Sequence, residues 1–99
     1  MYKRQKYDQA LKYYEKALEI YKKIHGEVHS YTATTYSCMS EVYLFTNKYD
    51  QALEYHEKAL EIYKKTIGEV HGFTAATYDN MGSVYKVNMT KHLSIMRKH

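Results

Sequence analysis

Hydrophobic residues recur along this chain at the spacing of an α-helix, in two long segments. Within each segment they are separated by steps of three or one, which places them on one face of a helix and excludes the alternation of a strand. The spacing predicts amphipathic helices over residues 6–24 and 48–66. The positions are Tyr7, Ala10, Leu11, Tyr14, Ala17, Leu18 and Tyr21, then Tyr49, Ala52, Leu53, His56, Ala59, Leu60 and Tyr63.

The two segments are copies of one repeating unit. Residues 7–29 recur as residues 49–71 at an offset of 42, and 19 of these 23 positions are identical. The likeness continues more loosely into residues 31–45 and 73–87, where we predict the intervening helices. The repeating unit is therefore a whole supersecondary element of about 42 residues.

Turn residues divide these helices into hairpins. Gly26 and Gly68 each follow a helical segment, at the position where helices commonly end in a residue with left-handed backbone conformation. The chain has no proline, so glycine is its main helix terminator. Ser30 and Asn47 precede helical segments and are predicted to be their N-caps. The alanines of each stripe leave room for a neighbouring helix to approach closely. The pattern predicts an all-α protein of packed helical hairpins.

The recurring residues resemble a tetratricopeptide repeat, in particular the longer variant of kinesin light chain. The first helix of that repeat carries an aromatic, an aliphatic, a small residue and a tyrosine, and the second carries Tyr-Asp-x-Ala-Leu followed by Ala-Leu. HEAT-type repeats lack this Ala-Leu spacing. The matching residues are Tyr36, Met39, Ser40 and Tyr43, Tyr78, Met81, Gly82 and Tyr85, and the segments 7–11, 17–18, 49–53 and 59–60. The resemblance implies antiparallel helix-hairpin repeats stacked as a short right-handed α-solenoid.

In this frame residues 1–99 form a single domain with one complete repeat over residues 31–66. Residues 6–24 are the second helix of a truncated repeat, and residues 73–87 are the first helix of a third. Ser30 and Gly72 stand where the family usually has proline, and His56 replaces an aromatic residue. Residues 88–99 are a degenerate basic tail, which either forms a poor final helix or continues the preceding one.

The resemblance also implies where a partner would bind. First helices of successive repeats line a concave groove that accepts an extended peptide or a helix, and Asn80 is the strongest candidate because its amide both donates and accepts hydrogen bonds. Its repeat equivalent is Cys38, so paired groove asparagines are not preserved. The groove candidates are Ser37, Cys38, Glu41, Leu44, Phe45, Asp79, Asn80, Ser83 and Lys86.

The helix at residues 6–24 is expected to lack its partner helix, and about three repeats are normally needed for a stable stack. We therefore predict a homo-oligomer or helix-swapped dimer. The self-association candidates are Tyr7, Ala10, Leu11, Tyr14, Ala17 and Leu18.

Charge and aromatic content raise a nucleic-acid alternative. The net charge of +4 conceals seven bases near the chain ends and a mildly acidic body between them, which favours solvated ends over a basic binding face. The chain has 13 tyrosines, which in principle stack on RNA bases. Nine occupy packing positions of the repeat, so RNA binding is the weaker hypothesis. They are Tyr7, Tyr14, Tyr21, Tyr36, Tyr43, Tyr49, Tyr63, Tyr78 and Tyr85.

The remaining chemistry favours neither an enzyme nor a metal protein. Cys38 has no base beside it, and Gly26 separates His25 from His29, so we expect no catalytic site, no zinc site and no cofactor. No apolar run is long enough to cross a membrane, the first six residues lack a signal sequence, and the lone cysteine agrees with a cytoplasmic location. The sequence predicts a protein-interaction scaffold, with an RNA-binding helical repeat or a purely structural homo-oligomer as alternatives.

Overall fold

Four α-helices follow one another along the chain. The computed structural model describes the backbone of residues 2–98 and the side chains of residues 4–93 and Met96. Helix α1 spans Tyr2–His25, α2 Ser30–Phe45, α3 Tyr49–Thr66 and α4 Gly72–Lys98. Consecutive helices pack against each other, most extensively α2 and α3. The described backbone contains no strand, and the predicted all-α fold of helical hairpins is confirmed.

The two central helices lie within one residue of their predicted bounds, whereas both terminal helices are longer. Helix α4 passes without a break through the segment that the sequence marked as a degenerate tail. Thr90 Oγ1 donates to the Lys86 carbonyl oxygen at 2.8 Å, and Lys91 Nζ donates to Asn47 Oδ1 in the turn between α2 and α3. Of the two conformations predicted for the tail, the structure has the straight continuation.

Both predicted glycine C-caps are present. Gly26 has a φ of 85° and Gly68 a φ of 92°, the left-handed region in which a Cβ atom is unfavourable. The Gly26 amide donates to the Lys22 carbonyl at 2.9 Å, and the Gly68 amide donates to the Tyr63 carbonyl at 3.0 Å. These glycines end α1 and α3 and reverse the chain into the next helix.

Both predicted N-caps were wrong by one residue. Helix α2 is capped by His29, whose Nδ1 atom accepts the Tyr31 amide hydrogen at 3.1 Å, while Ser30 is already helical. Asn47 has a φ of 65° and follows the C-cap of α2, so Lys48 occupies the N-cap position of α3. A serine or asparagine next to a helix marks a boundary, but neighbouring residues compete for the cap and tertiary packing decides between them.

The core lies between α2 and α3. Ala33, Met39 and Ala59 are buried there, and Leu11 and Leu18 of α1 pack against the same cluster. Ala52 and Ala59 are both 0% exposed, as the small residues of the stripe predicted. The Ser40 hydroxyl donates to the carbonyl oxygen of Ala52, a contact that only small side chains allow. Helices α1 and α4 lie on either side of this central hairpin.

Candidate functional site

The groove candidates on α2 lie partly against α1. The Phe45 ring is stacked on the Tyr7 ring with 6.2 Å between centroids, yet 61% of Phe45 remains exposed. Cys38 is half-buried beside Tyr14. Ser37 and Leu44 are half-buried and Glu41 is exposed. This surface is therefore mixed in character, with an accessible aromatic ring at one end.

Cys38 is a neutral thiol at physiological pH. Burial raises the pKa of the Cys38 thiol above its ordinary value, and the Glu41 carboxylate raises it further, although the Tyr14 hydroxyl opposes both effects. In alkaline solution the negative charge of the Cys38 thiolate is in turn the main cause of a raised pKa for the Tyr14 hydroxyl. A reactive cysteine needs a lowered pKa. The environment of Cys38 suits a packing residue.

The groove candidates on α4 share one solvent-facing side of the helix. Their spacing of one, three and three residues places them together, and all four are exposed. Thr74, Thr77 and Val84 occupy the opposite, buried side of α4. The α4 surface is thus polar, accessible and free to meet a partner. Its members are Asp79, Asn80, Ser83 and Lys86.

Part of the stripe proposed for self-association is covered within the chain. Leu11, Tyr14 and Leu18 pack against the core cluster of α2 and α3. Tyr7 contacts Phe45 of α2, as described above, and the stripe residues are half-buried. The expectation that this stripe lacks a helical partner was wrong for Leu11, Tyr14 and Leu18, whereas Ala10 and Ala17 are half-buried at its edge. Self-association of the chain itself stays a prediction.

Seven of the nine tyrosines assigned to packing are buried or half-buried, and two are not. Tyr36 and Tyr63 lie in the core, and Tyr36 contacts Tyr55 at 5.7 Å between ring centroids. Tyr78 and Tyr85 are exposed although they hold the same repeat positions as Tyr36 and Tyr43. On α4, these two tyrosines therefore lack the packing that buries their equivalents on α2.

An open cleft adjoins the groove at the junction of α1 with the end of α2. It has a volume of about 470 Å³. Arg4 and Lys48 supply positive charge, Asp8 supplies one negative charge, and the exposed edge of Phe45 supplies apolar surface. Such a cleft has room for one large side chain of a bound peptide.

Sequence reasoning missed a group of interactions at each repeat boundary. The Tyr36 hydroxyl donates to Glu27 Oε1 at 3.0 Å, and Lys22 pairs with the same carboxylate at 3.4 Å. The next repeat reproduces the first contact between Tyr78 and Glu69 at 3.1 Å. The signal was present in the recurring Glu-Val-His at residues 27–29 and 69–71. These contacts hold the loop against the helix that follows it.

His25 and His29 come together in space despite the glycine between them. Their rings stack at 4.0 Å between centroids, and Tyr31 packs on both rings edge to face. The Nδ1 atom of His29 is already occupied by the helix cap. Across the described residues no three histidine, cysteine, aspartate or glutamate side chains converge as a metal site would require.

The architecture defines the class of protein as a stack of helix hairpins whose outer helix faces are exposed to solvent. A family model for the tetratricopeptide repeat matches residues 1–65 and, in a second register, residues 31–88. The chain belongs to the tetratricopeptide repeat family. No curated protein matches it significantly. Members of this family generally act as protein-interaction scaffolds. Within the described helices, none combines the length and apolar character needed to span a bilayer.

Proposed function

We propose that this chain is a cytoplasmic scaffold that binds an extended peptide or a helix along the groove formed by α2 and α4, and that it also associates with itself. The family supplies the general role of protein binding. The observation that carries the groove is the shared exposure of Asp79, Asn80, Ser83 and Lys86 on α4. An accessible amide on a rigid helix suits recognition of a peptide backbone.

The charges along this surface favour a peptide of mixed character. Glu41 and Asp79 attract basic side chains, whereas Lys86 attracts an acidic one. The cleft beside Phe45 would take a large apolar or aromatic side chain at one end of the peptide. RNA binding has less support, because seven of the nine packing tyrosines are covered and the groove itself carries two acids.

Selection from a phage-displayed library of linear peptides tests the groove directly. We expect enriched peptides to bind the wild-type chain and to bind Asn80→Ala about tenfold more weakly, the effect of losing one or two hydrogen bonds. Asn88→Ala is the matched control, since Asn88 is an exposed asparagine on another side of the same helix. Equal binding by all three proteins would refute the groove.

A further inference from the structure

The exposed sides of α1 and α4 correspond to the two halves of the internal contact between α2 and α3. We define the α4 outer face as Tyr78, Met81, Gly82 and Tyr85, and the α1 outer face as Ala10, Tyr13, Ala17 and Ile20. At an offset of 42 these positions match Tyr36, Met39, Ser40 and Tyr43 on α2 and Ala52, Tyr55, Ala59 and Ile62 on α3. Seven of the eight pairs are identical, and only Gly82 differs from its equivalent, Ser40.

The equivalent residues on α2 and α3 form the central interface of the fold. Tyr55 of α3 packs against Tyr36 at 5.7 Å and Tyr43 at 5.3 Å between ring centroids. The Ser40 hydroxyl donates to the Ala52 carbonyl oxygen, and Ile62 lies in the core cluster with Met39. Seven of the eight residue types of the two outer faces therefore already occur in the packed contact between α2 and α3 of this molecule.

Burial shows that both outer faces lack this partner. Ile62 is 6% exposed, whereas its equivalent Ile20 is 54% exposed. Tyr36 is 3% exposed, whereas its equivalent Tyr78 is 45% exposed. Large apolar side chains that are exposed here, at positions that the same repeat buries elsewhere in the chain, favour an interaction site.

We propose that a second copy of the chain packs its α1 outer face on the α4 outer face of the first, in the antiparallel arrangement that α3 adopts on α2. This contact specifies the self-association put forward above and rests on it. Continuity with the internal interface identifies the partner, because α1 carries the same four contact residues as α3. Lys16 is likewise equivalent to Lys58, whose Nζ lies 5.6 Å from the centre of the Tyr36 ring.

The course of α4 suits a contact between chains. Within one chain, α2 and α3 are joined by a turn at residues 46–48. At the equivalent place, residues 88–90, α4 continues as a helix without a turn. The exposed Met89 and Leu93 of α4 extend the apolar stripe beyond the four residues of the outer face.

The contact is head-to-tail because the two faces lie on opposite ends of the chain. A pair of copies keeps one open α1 face, on one chain, and one open α4 face, on the other, so association continues into longer arrays or closes into a ring. In such an array the α2 and α4 helices of each added copy continue the row of groove-lining helices, which lengthens the proposed groove. The assembly supplies the stacking that a short repeat array lacks by itself.

Two variants block the two faces separately. Gly82→Leu adds a side chain where an added Cβ meets no atom within 4 Å in the single chain, but where the equivalent Ser40 is fully buried. Ile20→Glu places a charge on the α1 outer face at a position that is solvated in the single chain. Gly82→Ser, which restores the residue of α2, and Val70→Lys, which removes an exposed loop side chain outside both faces, are the controls.

Analytical ultracentrifugation over the micromolar range measures the outcome. We expect the wild type and both controls to gain mass with concentration beyond a dimer or to form a ring, and Gly82→Leu and Ile20→Glu each to remain monomeric. Mixed in equal amounts, the two blocked variants retain one intact α4 face and one intact α1 face, so they form a one-to-one dimer that does not grow. A symmetric dimer through either face would not behave in this way.

Circular dichroism of each variant checks that helical content is unchanged. If either variant unfolds, Tyr13→Glu and Tyr85→Glu replace it, since both tyrosines are strongly exposed. A wild type that stays monomeric would overturn self-association and this contact together. Association that survives Gly82→Leu would overturn this contact alone and leave self-association through another surface.

Discussion

His56 is the buried residue whose chemistry fits its surroundings least. It lies on α3, only 1% exposed, at the repeat position that Tyr14 holds on α1. Its Nδ1 atom has no hydrogen-bond partner in the part of the chain that the structure describes. Burial lowers the pKa of His56, because the charged imidazolium is poorly solvated there. The folded chain therefore holds His56 in its neutral form.

This lowered pKa predicts a loss of stability in mild acid. Since the pKa of His56 is lower in the folded chain than in the unfolded chain, the unfolded chain takes up the proton first. The contribution of His56 is complete above about pH 6.5 and decreases as the pH falls toward the lowered value. His56→Tyr should reduce this dependence, measured as the difference in free energy of unfolding by urea between about pH 7.5 and about pH 5.5.

The control for this prediction is His92→Gln, which removes an exposed histidine from α4. That variant should keep the pH dependence of the wild type. If His56→Tyr loses as much stability in acid as the wild type does, then His56 is not responsible, and the acid sensitivity lies elsewhere.

Glycine has opposite roles in different elements of this chain. Gly68 ends α3 with a φ of 92°, a conformation that other residues adopt only with strain. Gly82 lies within α4 in ordinary helical geometry, with open space around the position of an added Cβ. The same substitution therefore has opposite consequences at these two positions.

Gly68→Ala should destabilise the chain by about 1–2 kcal/mol, because alanine is strained in the left-handed conformation. Gly82→Ala should stabilise it by about 1 kcal/mol, because alanine favours the helix over the unfolded chain. Urea unfolding measures these differences in the free energy of unfolding, at a protein concentration at which the wild type and each variant have the same oligomeric state. Equal changes of the same sign in both variants would contradict the assigned caps and the α4 helix.

The helices themselves were largely predictable, and their ends were not. The spacing of Ala52 and Ala59 predicted the buried face of α3 correctly, because two small residues on the same side of a helix allow a neighbouring helix to pack closely. Ser30 and Asn47 misled the assignment of caps, since His29 and Lys48 took those positions. Cap choice depends on which local hydrogen bonds survive packing, and no spacing rule contains that information.

At the scale of the whole molecule, the sequence revealed the repeat but not which faces of it stay open. A helix in a stack packs against one neighbouring helix on each of two sides. The hydrophobic residues of both sides form one continuous stripe in the sequence pattern, so the pattern does not separate the two contacts. Leu11 and Leu18 therefore looked unpartnered although α2 covers them, whereas Tyr13 and Ile20 are the residues left exposed. The groove candidates remain predictions, because exposure permits binding without specifying a ligand.

The central claim is that the hairpin of α2 and α3 forms the stable core, and that α1 and α4 each carry an outer face that lacks a partner helix within the chain. Amide hydrogen exchange followed by mass spectrometry, at a low and a high protein concentration, tests it most directly. We predict the slowest exchange in α2 and α3 at both concentrations, and exchange in α4 that slows as the concentration rises. Exchange in α2 and α3 as fast as in α4, with no effect of concentration on α4, would contradict the account.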